Sequence, residues 1–110
     1  MESYPLCPRF EKAMLIMNKR WAALIVYQLL SGHQRFCSIE SALSISGRLL
    51  SERLKDLEQA GIVKRDVYPE IPVRIEYSLT DKGLALEPMI REIQKWSQAW
   101  IEVDEEVTAQ

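Results

Sequence analysis

At 110 residues, with 47% hydrophobic and 27% charged residues, the chain is long enough for one domain with a modest core and too apolar to be disordered. No run approaches the roughly 18 apolar residues of a membrane span, the opening MESYPLCPRF lacks a signal peptide's basic segment and apolar run, and two cysteines with one histidine form neither a disulfide framework nor a metal-ligand set. The net charge of -2 is unevenly spread, with 11 Lys and Arg against 9 Asp and Glu in residues 1–80 and 3 against 7 in residues 81–110, so it does not exclude a nucleic-acid partner for the first eighty residues. One cytoplasmic domain is therefore expected over 1–110, with its core over 7–102 and an acidic tail over 103–110, and with no metal, cofactor or membrane partner.

Pro8 suits the first position of a helix, where its missing N–H costs nothing, and Phe10, Ala13, Met14 and Met17 then recur at helical spacing. The first helix is placed at about 8–17. A second, about 20–30, is apolar around most of its circumference and belongs in the core, with Gly32 as its left-handed cap. Arg35 and Phe36 leave room for a stub of strand before Cys37 or Ser38 caps a short helix running to about Leu43; Glu40 follows Cys37 at capping-box spacing, which favours a structural role for that cysteine. Ser46 caps the next helix, about 47–60, which Gly61 ends.

After Gly61 the period falls from 3.6 to 2. Residues 62–68 form one strand; in the next, Val73, Ile75, Tyr77 and Leu79 alternate with Arg74, Glu76 and Ser78, and Pro69-Glu70-Ile71-Pro72 makes the turn. A last helix runs from a Thr80 cap past Trp100. The fold is thus mainly α with a small β-ribbon, an α+β winged helix-turn-helix.

That architecture braces a short helix on the DNA backbone, sends the next into the major groove and reaches flanking phosphate or minor groove with the hairpin. Leu50, Leu54 and Leu57 form the buried stripe of the recognition helix. Arg48, Ser51, Glu52 and Lys55 face outward, while Ser46 and Gly47 bring the helix N-terminus to a phosphate. Glu52 repels phosphate unless it accepts from a cytosine amine. Arg74, beside the turn of the ribbon, is the expected wing contact in the minor groove. Leu86, Met89, Ile90, Ile93, Trp96 and Trp100 make a stripe on the last helix wider than one small domain needs, so part of it is expected at a homodimer interface, the alternative being ordinary packing within the chain. His33 reads as a solvated loop residue.

Cys7, as N-cap ahead of Pro8, sits at the positive end of the helix dipole near Arg9 and Lys12, an arrangement that favours thiolate and reaction with an electrophile or oxidant. The alternative is a quiet capping residue packed under a neighbouring subunit. A Cys7–Cys37 bridge between subunits also stays open, its geometry undetermined by spacing.

The segments WAALIVYQLLSGHQRF and LLSERLKDLEQAGIVKRDVYPEIPVRIEYSLTDKG, with Cys7-Pro8, resemble the HxlR-type winged-helix regulators, a MarR-like bacterial group, from about Cys7 to Trp100. The resemblance implies homodimers joined through the first and last helices, which puts Phe10, Met14 and Met17 of the first at the interface with the stripe of the last, each subunit presenting a recognition helix to an inverted-repeat operator in double-stranded DNA. It also implies repression, relieved in several members when a cysteine placed like Cys7 meets a quinone, aldehyde or oxidant. The sequence departs from the family at Ser44-Ile45, where many members have one more residue and a Pro-Gly, and at Gly47, often Pro; it also has no cysteine after Cys37.

Two other classes remain. A winged helix turned protein-interaction module suits the acidic balance but not Arg48, Lys55 and Arg74. A thiol peroxidase using Cys7 with Cys37 needs groups that orient peroxide, and the sequence offers none; no enzyme is expected.

Overall fold

The computed structural model describes residues 5–103. Its elements in chain order are α1 (Pro8–Met17), α2 (Ala22–Leu29), β1 (Gln34–Arg35), α3 (Phe36–Leu43), α4 (Gly47–Gln59), β2 (Val63–Tyr68), β3 (Arg74–Leu79), α5 (Asp81–Leu84) and α6 (Glu87–Trp100). The predicted acidic tail lies, from Asp104 onward, outside the described residues.

The core follows from the apolar stripes. Ile25, Val26 and Leu29 of α2 meet Ile39 of α3, Leu50, Leu54 and Leu57 of α4, Ile62 and Val63 at the entry to β2, and Ile90 of α6. Truncating one of these buried leucines to Ala costs about 2–5 kcal/mol, since the cavity left behind collapses incompletely. The sheet is antiparallel in the order β1-β3-β2. Val63 stands opposite Leu79 and Tyr68 opposite Arg74, while Gln34 and Arg35 pair with Tyr77 and Glu76 on the far side of β3.

Four sequence expectations need correction. The second helix begins two residues later than Arg20, because Trp21 takes a left-handed conformation (φ 79°) and turns the chain before Ala22. The short helix starts at Phe36 with Arg35 at the N-cap and no side-chain capping bond, so Cys37 lies inside the first turn, exposed, and neither it nor Ser38 is the cap. The last helix is not continuous: Pro88, second in α6, has no N–H to give the Leu84 carbonyl and its ring crowds that oxygen, so α5 ends at Leu84 and α6 starts afresh. It also stops at Trp100, with Ile101 extended.

The ribbon alternates as expected, but not with its polar side in water. Glu76 is 8% exposed, whereas Val73 is open to solvent. At the base of the ribbon, the Thr80 hydroxyl donates to the Gly61 carbonyl while its oxygen accepts from the Gly83 amide (3.1 Å). Lys82 Nζ donates to the Ala60 carbonyl (2.6 Å), closing the end of α4. Gly83 is required here, because a Cβ would stand 2.3 Å from the Ile62 carbonyl oxygen.

Candidate nucleic-acid interface

A three-residue turn joins α3 to α4. Ser44 takes the left-handed region (φ 53°), Ile45 is buried as an anchor, and Ser46 returns to extended backbone as the N-cap. Its hydroxyl oxygen accepts from the Leu49 amide (3.2 Å), satisfying one of the amides that a helix start leaves unpaired. At Gly47 a Cβ would meet the Glu40 carboxylate of α3 at 2.8 Å, the end of a flexible side chain that can swing aside. The departure at Ser44-Ile45 therefore still yields a tight, capped entry.

Leu50, Leu54 and Leu57 turn α4 inward, and Arg48, Glu52 and Lys55 lie along the opposite, exposed side with Ser51 half-buried at its edge. The Arg48 side chain is 92% exposed and only loosely paired, its Nε 3.8 Å from Glu52 Oε1. An arginine so placed at the first turn of a helix is free to meet a base edge or phosphate.

The wing is organised around Arg74. Its Nε donates to Glu70 (2.8 Å), its Nη1 to Glu76 (2.7 Å), and its guanidinium lies 4.0 Å over the Tyr68 ring. The Arg74 hydrogen bond holds the Glu70 carboxyl below its usual range, and the bonds to Glu70 and Glu76 raise the guanidinium pKa further above its ordinary value. Arg74 is thus not displayed as a free cation, unlike Arg48. His33 is exposed, as expected, but its Nε2 approaches Glu76 Oε1 at 3.7 Å. Spacing hinted at this group, since Arg74 and Glu76 share one face of a strand; the reach of Glu70 and His33 required the fold.

Cys7 occupies the N-cap of α1 in extended conformation ahead of Pro8, its side chain exposed and making no capping hydrogen bond. Of the apolar residues expected at an interface, Phe10, Met14, Ile93, Trp96 and Trp100 are exposed. Ile90 is not: at 6% exposure it belongs to this chain's own core, and Met17 and Met89 pack half-buried against it. Sequence reading missed Leu24 and Tyr27 of α2, which with Ile93 and Gln94 line a groove of about 350 Å³ between α2 and α6. Among the described residues no three His, Cys, Asp or Glu gather as a metal site, and no helix is long and apolar enough to cross a membrane.

A capped helix with a polar outer face, preceded by a bracing helix and flanked by a β-ribbon, defines a winged helix-turn-helix protein. The family described as HxlR-like helix-turn-helix matches residues 16–105, and the chain belongs to that family of transcriptional regulators, which are not enzymes. It is 65% identical over 103 residues to the uncharacterised HTH-type transcriptional regulator YvaP of Bacillus subtilis, covering 93% of this chain and 95% of that one. It is similar to the reduced form of the transcriptional regulator YodB of the same organism, with TM-score 0.78 and 43% identity over 89% of this chain and 97% of that one. It is also similar to the redox regulator HypR in its oxidized form, with TM-score 0.80 and 34% identity over 88% and 100% of the two chains. YodB has been solved in diamide-treated and quinone-bound forms as well.

Proposed function

We propose that the protein is a homodimeric repressor that holds an inverted-repeat operator through paired α4 helices and lets go when an electrophile or oxidant modifies Cys7. The observation that carries the DNA side is the outer face of α4, where Ser46 caps the helix and Arg48 and Lys55 stand in solvent opposite the Leu50, Leu54 and Leu57 stripe. Arg48 and Lys55 meet base edges or phosphates, Ser46 and the Gly47 amide meet a phosphate at the helix start, and Ser51 and Glu52 face the groove between them. Arg74 serves first as the brace of the wing; its minor-groove contact requires DNA to take the place of Glu70. Ile93, Trp96 and Trp100, with Phe10 and Met14, supply the dimer surface.

The sensing side is supported by the exposed Cys7 at a helix start and by the redox and quinone states in which its relatives have been solved. Cys37 is likewise exposed and remains the second thiol for a bridge between subunits. Because paired recognition helices must meet successive major grooves about 34 Å apart, a small rigid-body shift suffices for release. The test is a gel shift on DNA upstream of the protein's own gene, at several salt concentrations, with reduced protein, quinone-treated protein and Cys7→Ser. Loss of binding in treated wild type and retention in treated Cys7→Ser supports the reading. Unchanged binding after treatment removes the thiol switch, and no binding at low salt removes the operator.

A further inference from the structure

The recognition helix is tied to the corner between α1 and α2 by one arginine that the DNA face does not use. Arg53 of α4 is mostly buried; its Nε donates to the Arg20 main-chain carbonyl (2.9 Å) and its Nη1 to Asp56 Oδ2 (3.3 Å). The same Asp56 oxygen receives Lys19 Nζ at 3.1 Å. Lys19 and Arg20 belong to the corner where Trp21 holds a left-handed conformation, which is strained for a large side chain and persists only where its surroundings fix it. The Arg20 guanidinium stands 5.3 Å over the Trp21 ring.

Apolar packing does not fill the space between α1 and α4. A cleft of about 230 Å³ lies there, lined by Leu15, Ile16, Lys19, Ala22, Arg53 and Asp56 among others. A directional bond to a carbonyl and a shared carboxylate therefore span a gap that side chains leave open. We propose that Arg53 is a positioning residue: by clamping α4 to the α1–α2 corner it fixes the angle between the dimer-forming α1 and the DNA-reading α4, and so sets the spacing of the two recognition helices on an operator. This rests on the homodimer reading above. Arg53 touches no base in this account; it acts through the placement of Arg48 and Lys55.

The test uses the full chain and an operator recovered by selection from random duplexes, in its selected spacing and with one base pair inserted between half-sites. Wild type should prefer the selected spacing by about tenfold or more, since one added pair both lengthens and rotates the site. Arg53→Met keeps the apolar stem and removes the donors. It should bind single half-sites like wild type while its spacing preference falls to about threefold or less. A residue with a merely structural role lowers the melting temperature and leaves that preference unchanged, and this result overturns the proposal. If Arg53→Met does not fold, Asp56→Asn removes the shared carboxylate at constant volume and is read by the same two outcomes. A wild type indifferent to spacing refutes the homodimer reading, and this proposal with it, whereas failure confined to the variants refutes the clamp alone.

Discussion

Arg74 and Glu76, two residues apart on one face of β3, are joined by a 2.7 Å hydrogen bond that gives the buried carboxylate of Glu76 a charged partner within the ribbon. Glu70 closes the other side of the same guanidinium from the turn. The two carboxylates are therefore unequal partners: Glu76 anchors the arginine inside the wing, and Glu70 covers it at the surface. Glu70→Ala should expose the guanidinium and remove a negative charge beside the DNA, tightening operator binding about two- to fivefold at low salt. Glu76→Ala should do the opposite, loosening the wing and lowering both affinity and melting temperature. Fluorescence anisotropy and thermal melts on the two variants check this, and equal effects of the two substitutions speak against it.

Acid should act on the wing through Glu70. Its carboxyl is held below the ordinary value chiefly by the Arg74 hydrogen bond, so the pairing is fully present above that ordinary value and fades as pH falls through the lower folded one. Opening of the 66–76 ribbon, read as amide exchange relative to the intrinsic rate at each pH, should accordingly be insensitive to this group from neutral pH down to the ordinary carboxylate range, and rise below it. Glu70→Gln should abolish that acid-dependent rise; if the rise persists, another group is responsible.

Much of this was written in local chemistry. Pro8, Ser46 and Gly61 punctuate the helices at the observed places, and the Leu50, Leu54, Leu57 stripe fixes which side of α4 faces out. What the sequence concealed depends on partners distant in the chain. Trp21 turns left-handed at a corner no glycine marks, Glu76 is buried where Arg74 donates to it, and Ile90, read from its spacing as an interface residue, lies in the core beside α2 and α4. The Arg53–Asp56 spacing was visible on a helix, but its bond to the Arg20 carbonyl spans 33 residues and needed the fold.

Gly83 offers a stability test away from the DNA face. Its missing Cβ admits the Ile62 carbonyl, a rigid main-chain neighbour that cannot swing aside. Gly83→Ala should destabilise the protein by about 1–3 kcal/mol through forced backbone shifts, and a melt indistinguishable from wild type would show that the α5 start relaxes freely.

Trp96 and Trp100, 57% and 72% exposed on one side of α6, are more apolar surface than a monomer comfortably shows. Trp96→Glu combined with Trp100→Glu should convert a dimer to a folded monomer in sedimentation velocity and cut operator affinity at least about tenfold, since the second half-site is no longer held. A variant that still sediments as a dimer places the interface elsewhere.

Operator affinity measured against salt concentration for wild type and Arg48→Ala decides whether α4 reads an operator through its Arg48 face. Wild-type affinity should fall steeply between about 50 and 200 mM salt. Arg48→Ala should weaken binding by about 1–3 kcal/mol, with a relaxed base preference if Arg48 reads a guanine or a salt slope shallower by about one if it pairs a phosphate. Affinity and slope unchanged by Arg48→Ala, or no duplex retained at low salt, would contradict that role for α4.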